Sequence, residues 1–391
     1  MSSNLAAPGR ETQWPVVLAA GLALTVGAFG LGADNWRAGA LVAVGGLLGV
    51  SLYHGMFGFT TTYRNAILYR DVAFTKAQLV MVGLASLLFV PTLAMGEAFG
   101  RPLVGAVAPV GLQVAVGSFL FGIGMQLAGG CGSGTLYALG GGSMRMIVAL
   151  STFCTGGFVA SLNMDWWAAA PGWGSVSLLE QLGWQGALGM QLVVLALLWF
   201  GLHRWAGDAR QSPLWEGRIG WPRLMTGPWS PLLTAGLLAV LNWVTLVIAG
   251  HPWTITWAFT LWGAKAATGL GWDPATSPFW NSGFPAQALS RGVLQDITSL
   301  MDIGIVLGAM TAAGLAGRFA PSARIPTLSL AAAALGGALM GYGARIAYGC
   351  NIGAFFSGAA STSLHGWLWI VCAIPGTWLG IRLRPLFGLK N

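Results

Sequence analysis

The chain has few charged residues for its length. Asp, Glu, Lys and Arg make up 8% of its 391 residues, whereas a soluble domain carries about 25%. Uncharged stretches such as 77–95 and 185–202 are long enough to cross a bilayer, which takes about 20 apolar residues. The scarcity of charge therefore excludes an ordinary soluble domain and indicates a polytopic α-helical protein embedded in a lipid bilayer.

Cysteine and histidine are also scarce. No two of the four cysteines form a C-x-x-C pair; they are Cys131, Cys154, Cys350 and Cys372. The four histidines are scattered along the chain. This pattern argues against a zinc site and against a CxxC redox centre. The chain also carries no nucleotide-binding motif, so we expect no cofactor and no direct use of ATP.

Basic residues exceed acidic ones, with a formal net charge of +8. In membrane proteins the excess of Lys and Arg lies in cytoplasmic loops, so the charge indicates orientation and not a nucleic-acid partner. The basic segments 58–76, 203–224 and 318–326 and the C-terminal tail should therefore be cytoplasmic, and the acidic loop 163–184 should lie outside. We predict that both termini are cytoplasmic, in a bacterial-type cytoplasmic (inner) membrane.

Hydropathy predicts an all-α fold with about ten transmembrane helices, near 15–33, 38–57, 77–97, 107–128, 144–162, 185–203, 232–249, 299–317, 327–348 and 366–383. Four apolar segments are too short to span: 57–67, 133–142, 253–267 and 352–360. Non-helical backbone at membrane depth is tolerated only where protein or a wet cavity covers it. We interpret these segments as re-entrant half-helices that line a pathway, although some could be interfacial.

Two glycine-rich segments, 219 positions apart, each carry one cysteine at the same place. They read GIGMQLAGGCGSG from residue 122 and GYGARIAYGCNIG from residue 341. The shared positions are Gly122/Gly341, Gly124/Gly343, Ala128/Ala347, Gly130/Gly349, Cys131/Cys350 and Gly134/Gly353. The match predicts a duplicated unit.

The predicted orientation makes the two units inverted relative to each other, roughly 38–162 against 232–383. We divide the chain into 1–37, an N-terminal tail with an extra first helix; 38–162, the first repeat; 163–231, a connecting region with helix 185–203 and the basic loop; and 232–391, the second repeat with the C-terminal tail. Inverted repeats with glycine-broken helices are typical of secondary transporters, which bind substrate near the membrane midplane.

The residues around the two cysteines form a candidate substrate site. Gly130, Gly132 and Gly349 would let the backbone approach a ligand or turn sharply. The short helices after Cys131 and Cys350 would direct their N-terminal amides at the same point, which favours anions. A thiol can donate a weak hydrogen bond to a polarizable acceptor such as sulfur. The pattern favours a soft, sulfur-containing anion; the alternative is that the cysteines are inert packing residues.

Polar side chains lie close to these cysteines in the sequence. Arg345 falls within a predicted span, where a charge is costly unless it meets a cavity or a partner, and its repeat counterpart is Gln126. Arg345 would either attract an anion or pair with Asp296 or Asp302. Asn351, directly after the second cysteine, is a further candidate donor.

Other polar or sulfur-bearing residues have simpler interpretations. Lys265 and Arg64 lie near apolar segments, and snorkelling or solvated side chains explain them. Cys154 and Cys372 lie in ordinary apolar helices without flanking glycine pairs, so we interpret them as packing residues.

At these motifs the chain resembles the YeeE/YedE family of sulfur-transport membrane proteins. The resemblance is strongest in GYGARIAYGCNIGAFFSG, which begins at residue 341, followed by SLHGW at 363–367; residues 122–142 are a looser version. It covers roughly 45–160 and 285–383. It implies uptake of thiosulfate, or in some branches a link to selenium metabolism, and a possible cytosolic sulfurtransferase partner of the small sulfur-carrier type.

The resemblance also implies a fold and a mechanism. Spanning and re-entrant helices would form two opposed concave surfaces with a narrow waist. Thiosulfate would pass along cysteine thiols by transient S–H···S hydrogen bonds, and Cys131 and Cys350 match two of those cysteines. A third cysteine expected in the first hairpin is missing from residues 56–64, where Gly58 takes its place, so we expect a relay of two thiols.

The sequence thus predicts a membrane permease and not an enzyme. Two other hypotheses remain open at this point. One is a membrane thiol-disulfide oxidoreductase that uses Cys131 and Cys350, and the other is a structural subunit of a larger membrane complex.

Overall fold

The computed structural model describes residues 11–215, 220–322 and 324–391. Most of the N-terminal tail, and Arg218 of the basic loop, lie outside the described residues. The described chain is almost entirely helical. Its few strands form two small antiparallel pairs, β1 (Glu97–Ala98) with β2 (Arg101–Pro102), and β3 (Pro109–Gly111) with β4 (Gly172–Ser175). The predicted all-α fold class is confirmed.

The helices follow one another with short breaks. In chain order they are α1 (Trp14–Asp34), α2 (Trp36–Gly55), α3 (Phe59–Tyr69), α4 (Ala73–Met95), α5 (Leu112–Ala128), α6 (Gly132–Gly140), α7 (Arg145–Ser161), α8 (Met164–Ala168), α9 (Leu178–Ala206), α10 (Trp221–Thr226), α11 (Pro231–Ala249), α12 (Thr256–Gly269), α13 (Gly283–Ser290), α14 (Ile297–Leu315), α15 (Thr327–Ile346), α16 (Ser357–Ala360) and α17 (Leu364–Leu383). A π-helical turn, Asn351–Phe356, leads into α16.

The predicted spans correspond to these helices. Within the described residues, nine helical segments are long and apolar enough to cross a membrane, and α7, an apolar helix of 17 residues, supplies the tenth predicted span. The span predicted at 185–203 starts earlier, since α9 begins at Leu178 and is kinked at Gly183. The four short segments are also helical, as α3, α6, α12 and the π turn with α16.

The long helices pack in matched pairs. Helix α7 packs along α15 as α5 packs along α17, and α2 packs along α14 as α4 packs along α11. The helices α5 and α15 also contact each other, as do α2 and α11. A two-fold relation that exchanges α2–α7 with α11–α17 would produce this pattern of helix contacts. The boundaries of the two repeats stay a prediction, and α1 and α9 pack outside them, on α2 and α14 and on α4 respectively.

The basic loops meet at one end of the molecule. Gln211 accepts a hydrogen bond from the Val72 amide at 2.9 Å, the Trp229 amide donates to the His54 carbonyl at 2.8 Å, and Gly142 lies against Ala320. Contacts at the other end join different loops, since the Leu178 amide donates to the Thr362 carbonyl and the Val104 amide to the Gly250 carbonyl. The loops predicted to share the cytoplasmic side therefore do share one end.

Several glycines of the repeated motif lie where helices cross. A Cβ atom on Gly341 would overlap the carbonyl oxygen of Phe153 on α7, and one on Gly122 would overlap that of Ala373 on α17. Close backbone approach increases van der Waals contact, which drives helix association in membranes. These motif glycines therefore pack helices.

The outer helices present apolar side chains to the surroundings. Leu18, Leu22, Val26 and Phe29 on α1 are all more than half exposed. Hydrocarbon is the solvent that suits such a surface, because lipid tails are as apolar as these side chains. The large buried core lies between the two repeats and contains both motif cysteines.

Candidate functional site

Two buried thiols lie where long helices give way to short ones. Cys131 directly precedes α6, and Cys350 directly precedes the π turn. Both are free, with 1% and 0% of their surface exposed, and they belong to one core cluster. Each thiol therefore lies at a junction between a long and a short helix.

The two thiols approach each other across Gly132. An ideal Cβ atom at Gly132 would lie 3.3 Å from Cys350 Sγ and 3.6 Å from Thr256 Cγ2. Because Gly132 immediately follows Cys131, the first turn of α6 faces the thiol of the other repeat. The missing side chain lets the Cys350 thiol pack closely against Gly132 at the point where the repeats meet.

Each thiol lies over the first turn of its short helix. Cys131 Sγ is 3.4 Å from Ser133 Oγ, and Cys350 Sγ accepts a hydrogen bond from the Ile352 amide at 3.4 Å. The free amides at a helix N-terminus carry partial positive charge. The surroundings of both sulfur atoms therefore favour an approaching anion.

Gly130 and Gly349 hold the cysteines in place. A Cβ atom on Gly130 would lie 3.0 Å from the carbonyl carbon of Gly134, and one on Gly349 would lie 2.6 Å from the amide of Ala354. Gly349 also has a φ of +150°, which glycine tolerates far better than other residues. In both repeats the chain folds back against the first turn of the short helix, so these two glycines position the thiols.

Asn351 links the second thiol to the first repeat. Its side-chain amide donates to the hydroxyl of Tyr63 on α3 at 3.4 Å, while its Oδ1 atom is buried and has no hydrogen-bond partner within the described ranges. The motif suggested Asn351 as a donor; the sequence carried no signal for Tyr63.

A cavity of about 90 Å³ reaches Gly349 from the end of the molecule opposite the basic loops. The cavity is lined by Thr254, Thr256, Trp257, Thr260, Ala344, Arg345, Tyr348 and Gly349. Thr256 also packs against Gly132, so one residue joins the wall of the cavity to the contact between Gly132 and the Cys350 thiol.

Arg345 lines this cavity, and no acidic side chain pairs with it in the part of the chain that the structure describes. Its guanidinium carbon lies 4.9 Å from the ring centroid of Phe279, and its Nε atom has no hydrogen-bond partner there. The pairing considered with Asp296 or Asp302 is not formed. Asp296 instead caps α14, and both oxygens of Asp302 are unpartnered. Arg345 therefore places positive charge on the cavity.

Gln126, the repeat counterpart of Arg345, is fully buried. Its amide donates to the Thr60 carbonyl at 2.9 Å, and its Oε1 atom accepts from Arg64 at 3.4 Å. Arg64, interpreted from the sequence as a snorkelling or solvated residue, is half-buried at this contact. A guanidinium group is thus present at both ends of the site, from α15 at one end and from α3 at the other.

Two more arginines hold the last turn of α5. Arg145 donates to the carbonyls of Leu127, at 2.7 Å, and Ala128, and Arg384 donates to the Gln126 carbonyl at 2.7 Å. Cations are stabilised at a helix C-terminus, where the carbonyls carry partial negative charge. These contacts anchor the backbone just before Gly130 and Cys131.

Gly58 lies directly before α3, where the resemblance implied a third cysteine. A Cβ atom on Gly58 would lie 2.9 Å from the hydroxyl of Tyr137 on α6. A phenol thus occupies the space in front of this position. No spacing in the sequence pointed to Tyr137, because its proximity to Gly58 arises only in the folded chain.

The remaining sequence candidates lie elsewhere. Cys154 and Cys372 are partly exposed on α7 and α17. Lys265 ties α12 to the carbonyls of Leu289, at 2.7 Å, and Arg291. No group of three or more His, Cys, Asp or Glu side chains comes together to bind a metal ion in the part of the chain that the structure describes.

Comparison with known proteins places these features in context. The family described as Sulphur transport matches residues 54–379. A protein of Spirochaeta thermophila named thiosulfate transporter TsuA is 28% identical over 350 residues, covering 86% of this chain and 95% of its own length. The thiosulfate transporter TsuA of Escherichia coli is 27% identical over 361 residues, covering 87% and 94%. The probable transporter YedE of Escherichia coli is 32% identical over 164 residues, covering 41% and 39%.

Proposed function

Because the chain belongs to the sulphur-transport family, we propose that it carries thiosulfate across the membrane between Cys131 and Cys350. It is a multi-pass membrane transport protein for a sulfur anion. The observation that supports the finer proposal is the contact at Gly132, where the thiol of the opposite repeat lies 3.3 Å from the position of an ideal Cβ atom. Two relatives of nearly full coverage are named thiosulfate transporters.

The route begins at the cavity beside Arg345. Its guanidinium attracts a dianion into a site that is otherwise low in charge, where electrostatic attraction is strong. The hydroxyls of Thr254, Thr256 and Thr260 offer hydrogen bonds to the anion's oxygens as water is removed. The anion then passes Gly349, which lines the cavity, and meets Cys350 directly after it in the chain.

The transfer step takes place between the two thiols. Cys350 donates a weak S–H hydrogen bond to the terminal sulfur of thiosulfate, and Cys131 takes over this contact as the anion passes Gly132. No covalent bond forms or breaks, so both cysteines remain thiols. Weak donors suit a permease, because a site that bound the anion tightly would release it slowly.

The soft terminal sulfur would distinguish thiosulfate from sulfate. A thiol is a weak donor, and hard sulfate oxygens prefer charged donors or backbone amides. A site with two thiols at its narrowest point therefore gains less from sulfate. Selenium-containing anions have a similarly polarizable atom, so they serve as the closest competitors in the assay.

The direction of transport is towards the cytoplasm in this proposal. The basic loops meet at one end, and Lys and Arg concentrate on the cytoplasmic side of bacterial-type inner membranes. This orientation places the Arg345 cavity outside, Arg64 on the inner side and both termini in the cytoplasm. A small cytosolic sulfurtransferase would receive the cargo, with the basic segment 203–224 as a docking surface.

Reconstituted protein tests the proposal directly. Radiolabelled thiosulfate uptake is measured in proteoliposomes with the wild type and with Cys131→Ala and Cys350→Ala. Cys154→Ala and Cys372→Ala are matched controls, because those thiols lie away from Gly132 and the Cys350 thiol. We expect each of the first pair to lose at least roughly tenfold of the uptake rate, about 1.4 kcal/mol of barrier, and the controls to keep it.

Two further measurements separate this proposal from the alternatives. Competition by sulfate and selenite tests whether the soft atom is recognised, and sulfate competing as well as thiosulfate would contradict the thiol contacts. Alkylation during turnover distinguishes a permease from an oxidoreductase. A permease keeps free thiols, whereas a Cys131–Cys350 disulfide that forms in each cycle would favour the enzyme.

A further inference from the structure

Asp302 lies in α14 with no partner for its carboxyl group. The side chain is fully buried, and neither oxygen has a hydrogen-bond partner among the described residues. Helix α14 is one of the candidate membrane spans. An ionised group is costly inside a membrane, and acidic residues there often belong to ion or proton pathways. A carboxylate with neither a hydrogen bond nor a cation beside it therefore requires an explanation.

The position of Asp302 connects it to the proposed transport site. The carboxyl lies within electrostatic range of the thiols of Cys350 and Cys154. Helix α14 packs against α6, which begins beside Cys131, and against α12, which begins at Thr256. A charge that arrives at Cys350 is therefore felt at Asp302.

The charged groups around α14 do not neutralise this carboxyl. Asp296, at the start of the same helix, also interacts with Asp302 electrostatically, but it is engaged by Ser299 and Trp257. The other titratable or charged side chains on the helices packed against α14 are Asp34, Arg37, Tyr53, His54, Tyr137, Arg223 and Lys265. No ion pair joins any of them to Asp302 in the described parts of the chain.

We propose that Asp302 is a proton-binding site that couples proton movement to anion transport. This inference rests on the proposed function. A dianion at Cys350 makes the nearby carboxylate less favourable, so its arrival favours protonation of Asp302. Linkage is reciprocal, and the bound proton strengthens anion binding by the same factor. The proton enters from the outer solution with the anion and leaves to the cytoplasm after it, and no bond within thiosulfate is broken.

The test uses full-length protein in sealed proteoliposomes. Labelled thiosulfate uptake is measured with equal pH on both sides and with a lower pH outside, while a trapped dye reports the internal pH. We expect the proton gradient to accelerate wild-type uptake by roughly fivefold or more, the lower range of typical couplings. Addition of thiosulfate should also acidify the interior.

Substitutions assign the effect to this carboxyl. Asp302→Asn, which imitates the neutral form, should still transport thiosulfate but lose both the response to the gradient and the acidification. Asp302→Glu should keep both, and Asp34→Asn, at the exposed end of α1, is the matched control. A gradient response that persists in Asp302→Asn overturns the inference.

The outcomes also separate this inference from the function beneath it. Wild-type uptake that ignores the gradient and leaves the internal pH unchanged overturns proton coupling while thiosulfate transport stands. This wild-type result does not depend on the folding of any variant. A complete lack of thiosulfate uptake overturns both.

Discussion

The thiol of Cys350 packs against Gly132. Its sulfur lies 3.3 Å from the point where a Cβ atom of Gly132 would be. Because Gly132 begins α6 one residue after Cys131, this contact joins the cysteine motifs of the two halves. A single methyl group at this position would take up space beside the Cys350 sulfur.

A methyl group added at Gly132 should slow transport without weakening the fold. Gly132→Ala places a methyl group near the Cys350 sulfur, and we expect uptake to fall by roughly tenfold, a barrier increase of about 1.4 kcal/mol. Alanine at the start of a helix is favourable relative to glycine, so the melting temperature should not fall. The control is Gly269→Ala at the end of α12, where a Cβ atom would meet nothing within 4 Å. Unchanged uptake in Gly132→Ala would place the pathway elsewhere.

Arg345 should determine how well the outer cavity attracts the anion. Arg345→Gln makes this position identical to its counterpart Gln126 and removes the charge. We expect the apparent KM for thiosulfate to rise roughly tenfold with a smaller change in maximal rate, since about 1.4 kcal/mol of attraction is lost. The KM of the wild type should increase with ionic strength more steeply than that of the variant.

Two variants check the origin of this effect. Arg345→Lys keeps the charge and should lie between the wild type and Arg345→Gln. Arg382→Gln removes an exposed charge that stacks on Trp378 at the other end of the molecule, and it should leave KM unchanged. Equal KM values for Arg345→Gln and the wild type would remove Arg345 from the site.

Gly58 and Tyr137 should be energetically coupled. The φ of Gly58 is −100°, which any residue can adopt, but a new Cβ atom would lie 2.9 Å from the Tyr137 hydroxyl. Gly58→Cys alone should therefore lower stability and uptake, and adding Tyr137→Phe should restore part of both. A double-mutant cycle on thermal unfolding should show a coupling of about 1 kcal/mol. Additive effects of the two changes would disprove the contact.

A buried polar triangle should stabilise the frame of the site. The Trp253 amide donates to Asn242 Oδ1 at 2.8 Å, Asn242 donates to Ser357 at 3.1 Å, and Ser357 donates to the Trp253 carbonyl at 2.8 Å. Asn242→Leu leaves the Trp253 amide unpaired, and we expect a loss of about 2 kcal/mol in the free energy of unfolding. Thermal unfolding in detergent measures it.

The comparison variant for this triangle is Ser151→Ala. Ser151 is exposed, and its hydroxyl donates to the Ile147 carbonyl of its own helix at 2.9 Å. Its loss should change the free energy of unfolding by less than about 0.5 kcal/mol. Similar losses for Asn242→Leu and Ser151→Ala would show that the triangle adds no special stability.

Local sequence patterns predicted the helices well. Apolar runs of the length of a bilayer became the long helices, and the runs interrupted by glycine became α3, α6, α12 and α16. Helix formation in a membrane depends on consecutive residues, because each helix satisfies its own backbone hydrogen bonds. The matched cysteines were visible for the same reason, since a repeat can be read by aligning the chain with itself.

The roles of individual motif residues were harder to predict. Gly130, Gly132 and Gly349 looked equivalent in the sequence. Of these three, Gly132 packs against the thiol of the other repeat, while Gly130 and Gly349 lie against the next turn of their own chain. The sequence allowed two environments for Arg345, a cavity or an acidic partner. Only the folded chain distinguished between these two environments. The proximity of Tyr63 and Tyr137 to the site had no signal in the sequence.

The sequence alone determined that this chain is a helical membrane protein with a duplicated cysteine motif. Composition, apolar length and internal repetition are properties of neighbouring residues, and they persist in any arrangement of the helices. The tertiary structure decided that the Cys350 thiol packs against Gly132, that Arg345 faces a cavity and that the Asp302 carboxyl has no partner among the described residues. Such contacts join residues far apart in the chain, and they follow from how two sets of helices pack against each other.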